Sequence, residues 1–112
     1  MHLSYFPGLG IDTSYPLFIA NGITAVRDTG GLLDIVLPMR AAARAPGAIA
    51  PRVYVAGPLV DGTQRVYARL NGRPNISVGV STPAEARAQI DALHDAGVDL
   101  IKLYEMNSPE TF

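Results

Sequence analysis

The chain has 112 residues, 48% hydrophobic and 17% charged, with a formal net charge of −1. Such a composition supports one globular domain with a buried core and excludes a disordered chain. The near-neutral balance excludes the basic footprint of a nucleic-acid binder, the lack of Cys excludes disulfides and thiolate metal sites, and no apolar run reaches the roughly 20 residues that span a bilayer.

Residues 1–8 lack the basic and long apolar regions of a signal peptide. Residues 1–6 read as a possible first strand that starts without a lead-in, as if inside a larger unit; localisation stays open. Residues 15–20 predict a short helix with Pro16 in its first turn. Asn21 and Gly22 suit a left-handed C-cap and lead into a β-branched strand over 23–27, closed by the turn residues Asp28, Thr29, Gly30 and Gly31. Residues 32–45 predict a helix broken or kinked at Pro38, which removes a donor and crowds the preceding turn. A second strand over 52–56 stops at Gly57 and Pro58. Residues 61–79 are polar, rich in Gly, Arg and Asn, and without period, which predicts a long functional or mobile loop.

The clearest helix follows. Thr82, Pro83 and Glu85 form a capping-box pattern, and Ala86, Ile90, Leu93 and Gly97 recur at helical spacing. Residues 98–104 read as a third strand, and Asn107 to Glu110 as the start of another helix. Strands alternating with helices predict an α/β fold with right-handed parallel units, and the apolar strand cores predict cover on both faces. The expected architecture is a partial TIM (β/α)8 barrel of about three to four parallel β/α units. It is incomplete, because a full barrel takes about 250 residues, and its open sheet edges offer contacts for an oligomer.

Lys102 is the sharpest candidate for chemistry. Alternation places 98, 100, 102 and 104 on one face, and a lysine among apolar neighbours is rare without a reason. Barrel active sites form at the carboxyl ends of strands; the plainer alternative is an ammonium snorkelling to solvent at a strand end. A desolvated lysine favours its neutral amine, which forms a Schiff base with a carbonyl or a carbamate able to bridge two metal ions. His2 is the other candidate metal ligand. His94 falls on the flank of the capped helix, as surface or packing. Arg27 and Asp28 end a strand, and either line a site or serve the turn. The glycines Gly8 and Gly10 do not make a dinucleotide fingerprint, and Asn75-Ile76-Ser77 matches a glycosylation sequon.

Residues 20–31, 51–58 and 96–104 resemble, in order, consecutive segments of the amidohydrolase superfamily, nearest its imidazolonepropionase-like and prolidase-like branch. The resemblance implies that residues 1–112 are a fragment of a single (β/α)8 barrel domain with a metal centre at the strand ends. It assigns Lys102 as a carboxylated bridge between two divalent metals, by family zinc. It makes His2 a member of the first-strand His-x-His pair, either first or second because Leu3 and Ser4 follow it. The remaining histidines and the acid/base aspartate are expected beyond Phe112. The implied activity is hydrolysis of amide, peptide or other C–N bonds in a small-molecule or dipeptide-like substrate, with the isolated chain inactive. The alternatives are a non-catalytic half-barrel unit that needs a partner chain, and an aldolase-like barrel with a Schiff-base lysine.

Overall fold

The computed structural model describes residues 2–3, 10–68 and 74–112. The first helix, α1, is Ile11–Ala20, with Asp12 in its first turn and Pro16 inside it. It starts upstream of the predicted position: the Gly10 carbonyl accepts the Thr13 and Ser14 N–H groups at 3.1 and 3.0 Å, and Asp12 complements the positive helix start. The strand β1, Ala25–Asp28, leads to α2, Leu33–Ala43, and then to β2, Arg52–Val55. Pro38 does not break α2. The carbonyl deprived of a donor is that of Asp34, and both Asp34 and Pro38 are exposed, so that carbonyl is open to solvent and the lost bond costs little.

β1 and β2 pair in parallel, in register from Ala25 with Arg52 to Asp28 with Val55. Val26, Asp28, Val53 and Val55 are buried, whereas Ala25, Arg27 and Arg52 are exposed. The two strands are therefore covered on one face, not on both as the apolar runs suggested. Tyr15 of α1 and Val36 of α2 join Val26, Val53 and Val55 in this first core.

Gly57 ends β2 with φ +69°, and a Cβ there would also meet the Leu33, Leu93 and Val98 side chains. The chain turns at once into β3, Leu59–Asp61, which pairs in parallel with β4, Ser77–Gly79. The last helix, α3, is Pro83–Asp95. Its cap forms as the sequence indicates at Thr82, whose Oγ1 accepts the Glu85 N–H at 3.2 Å. The Glu85 carboxylate reaches one residue further back, accepting the Ser81 N–H and hydroxyl at 2.7 Å each. These bonds hold the Glu85 carboxyl below its usual value. A second core gathers Val60, Val80, Ala86 and Leu93, flanked by Leu33, Ile101 and Leu103. α2 serves both cores, through Val36 on one side and Leu33 on the other.

This architecture corrects the partial-barrel expectation of three to four parallel β/α units. Among the described residues there are three helices and two separate two-stranded parallel sheets, β1-β2 and β3-β4, with no closed barrel. Two physical causes are visible. The turn at Gly57 puts β3 directly after β2 with no helix between them, and β4 arises inside the segment predicted as loop. Residues 98–104 are the second cause. They bend at Asp99 and pair with β3 only through an isolated parallel bridge from Leu103 to Val60. The bend also shifts the alternation: Val98 packs in the second core together with Ile101 and Leu103, so 98 does not share the face of 102. Residues 1 and 4–9, most of the possible first strand, lie outside the described residues, and so do Gly8 and residues 69–73. The helix start at Asn107 to Glu110 is a turn in which the Ser108 carbonyl accepts the Thr111 and Phe112 N–H groups at 3.0 Å each. No helix among the described residues is long and apolar enough to cross a membrane.

The bend is held by the Asp99 carboxylate. Its Oδ2 accepts the Val55 N–H at 2.9 Å and the Arg40 guanidinium at 2.7 Å, and the Asp99 N–H donates to the Val55 carbonyl at 2.8 Å. Arg40 also donates to the Gly97 carbonyl at 2.8 Å, and Arg44 stands 3.6 Å from Oδ1. Burial alone would raise the Asp99 carboxyl; the Val55 N–H, then Arg40 and Arg44, outweigh it and hold the group below its ordinary value. A depressed folded value means that Asp99 contributes its full stability above the unfolded value and loses it as pH falls through the folded one. Asp99→Asn is expected to cost about 1–2 kcal/mol near neutral pH. That cost should shrink on acidification below about pH 4. Urea titrations of both proteins across that range check it, and a difference that does not change with pH would contradict the ionic role.

Candidate functional site

The carboxyl ends of the strands bring together residues that lie far apart in sequence. Asp28 ends β1 and is 1% exposed. Its Oδ2 accepts the Leu3 N–H at 2.6 Å and its Oδ1 the Gly30 N–H at 3.0 Å. The carboxylate thereby ties the N-terminal segment to the turn after β1. His2 lies over the same turn, with Nδ1 2.9 Å from the Gly30 carbonyl. A carbonyl only accepts, so Nδ1 carries the proton, and in the neutral ring Nε2 holds the lone pair.

Asp61 ends β3 and is fully buried. Its Oδ1 accepts the Gly62 and Met106 N–H groups at 2.9 and 2.8 Å, and its Oδ2 accepts that of Val66 at 2.9 Å. Residues 62–66 and 106 are thus gathered around one carboxylate. Asn107 completes the anchorage: its Nδ2 donates to the Val60 and Tyr104 carbonyls at 2.9 Å each.

These anchors set a row of rings. The His2 and Tyr67 rings are 5.7 Å apart, the Tyr67 and Tyr104 rings meet edge to face at 5.6 Å, and the Lys102 Nζ stands 5.6 Å from the centre of the Tyr104 ring. The two predicted site residues, His2 and Lys102, are therefore joined through Tyr67 and Tyr104. Tyr104 shares the phase of Lys102 in the extended chain, a signal that was available in the sequence. Tyr67 lies in a stretch without period and carried none. Burial, then Tyr67 and Glu105, raise the Tyr104 phenol above its ordinary value, so it stays neutral.

The other candidates separate from this group. Arg27 points to the uncovered face of β1 and β2, where it borders a hollow of about 240 Å³ with Ala25, Val26 and Tyr54. Its neighbour Asp28 is committed to the turn, as the plainer reading of that motif held. His94 is exposed on α3, 3.3 Å from Asp95. Tyr15, under Asp28, is pushed up to about 12 by burial and then by the Asp28 charge, and its hydroxyl donates to the Met39 carbonyl at 3.0 Å.

His2 has the tautomer of a metal-binding histidine, with its other nitrogen on a carbonyl. The wider donor set does not fit a metal centre. Among the described residues no three of His, Asp and Glu gather where they could hold an ion. Both oxygens of Asp28 and of Asp61 already accept backbone N–H groups. The Lys102 side chain is turned to a ring whose negative face attracts an ammonium.

A search of protein-family models found no match, and neither did a search of curated proteins. Among solved structures, a candidate prolidase from Bifidobacterium longum is similar, with TM-score 0.59 and 29% identity over 78% of this chain and 20% of that one. The likeness is to part of a hydrolase-type structure. The chain spans about a fifth of that protein's length.

Proposed function

We propose that this chain is a segment of a hydrolase that cleaves amide, peptide or other C–N bonds, and that it contributes the strand-end group around Lys102 and His2 to a substrate site. The observation that carries the reading is the likeness to the candidate prolidase at 29% identity. The ordered resemblance of three segments to the amidohydrolase superfamily supports it. A zinc centre with a carboxylated Lys102 belongs to that resemblance alone, since the donors described above are too few to make one. The isolated chain is expected to be inactive. Purified 112-residue protein, given X-Pro dipeptides and acylated amides with and without zinc, should show no turnover above the buffer rate; metal-stimulated turnover would falsify this. Grafting the chain in place of the matched fifth of the Bifidobacterium longum protein should give a folded chimera that keeps its parent's hydrolysis. A folded, inactive chimera would count against the hydrolase reading.

A second reading, an interaction unit completed by another chain, is favoured by one observation. β1 and β4 each have one hydrogen-bonded strand neighbour among the described residues, and two-stranded sheets rarely stand alone. Sedimentation as a well-folded monomer would exclude it.

A further inference from the structure

The Schiff-base and metal-bridge readings both require Lys102 to give up its charge. Its surroundings favour keeping it. The ammonium stands against the Tyr104 ring, an arrangement whose attraction exists only for the cation. Lys102 is half-buried, and among the described residues its ammonium has no ion pair and no hydrogen bond. A half-buried ammonium carries three donors and lacks an anion. The carboxylates at the same strand ends do not supply one: Asp28 and Asp61 are spent on backbone N–H groups, while Glu105 is exposed and makes no ion pair with Lys102.

We propose that unmodified Lys102 binds the carboxylate of a small acid with a flat apolar body, which lies along the Tyr104 and Tyr67 rings. The rings offer polarisable faces and edges at spacings that suit a stacked or edge-on planar group. The ring next to the cation fixes where the charged end of the ligand must sit. Tyr104 is held for this by Asn107, whose amide pins its carbonyl, and Lys102 by its own carbonyl, which accepts the Val60 N–H at 2.9 Å. The proposal deepens the hydrolase reading by giving the substrate a free carboxylate. Its test reads binding and not turnover, so either can fail while the other stands.

The test titrates benzoate, benzamide and inorganic phosphate into the full chain, followed by NMR shifts of the Lys102 and tyrosine signals. Benzoate should bind saturably, about tenfold tighter than benzamide, as expected for one charge-assisted contact. Lys102→Met should erase that preference and Lys102→Arg restore most of it. Equal affinity for acid and amide, no saturable benzoate binding, or tighter binding of phosphate would each overturn the proposal, and the wild-type comparison decides even if a variant does not fold. A 13C signal of a carbamate on Lys102 after incubation with labelled bicarbonate would overturn it too, in favour of the metal-bridge assignment.

Discussion

Asp61→Ala is expected to lower stability by about 4 kcal/mol, because it strands three backbone donors at once. The Gly62, Val66 and Met106 N–H groups all end on this carboxylate at 2.8–2.9 Å, and Asp61 itself is 0% exposed. A small domain holds only about 5–15 kcal/mol in total, so the variant should sit near its unfolding threshold. Asp61→Asn should be intermediate. An amide keeps one acceptor oxygen but turns its NH2 toward a donor, so either Val66 or the Gly62 and Met106 pair loses its partner. Urea denaturation gives the energy, and hydrogen exchange at the three amides gives the cause. A loss below about 1 kcal/mol with all three amides still protected would show that Asp61 is not the anchor.

Gly62→Ala comes next, at about 3 kcal/mol. A Cβ at residue 62 would overlap the Met106 carbonyl. That carbonyl has little room to retreat, because the Met106 N–H and the Gly62 N–H share the same Asp61 oxygen. The steric and hydrogen-bonding effects are thus one effect. In the double variant Asp61→Ala/Gly62→Ala, the combined loss should fall well short of additivity, since residues freed from the carboxylate can move apart. Additive losses would mean that the clash and the clamp are independent.

What could be read from the chain follows from how local each cause is. α3 was legible because Thr82, Pro83 and Glu85 act within one turn, and β1 and β2 because their β-branched residues sit between turn formers. β3 and β4 were not. Leu59–Asp61 and Ser77–Gly79 are three residues each, too short to show a period, and each is a strand only by pairing with the other. Residues 98–104 had the opposite fault. Their apolar run predicts a strand well, but the contacts that bend it come from Val55 and Arg40, 44 and 59 residues away. At the site, Lys102 and His2 stood out by residue type. Tyr67 did not, because it is placed by the gathering of residues 62–66 around Asp61. The metal centre implied by resemblance needs donors that these residues do not supply.

The tie between Val55 and Asp99 also bears on how the chain is made. Ribosomes add roughly 5–20 residues per second. The β1-α2-β2 unit is complete at Val55, but the carboxylate that takes the Val55 amide is 44 residues further on. For about two to nine seconds of synthesis the Val55 amide waits for its acceptor, although the Val53 and Val55 side chains pack with Tyr15, Val26 and Val36, which are made before them. Slowing translation between codons 56 and 98 would lengthen that wait without altering the finished protein.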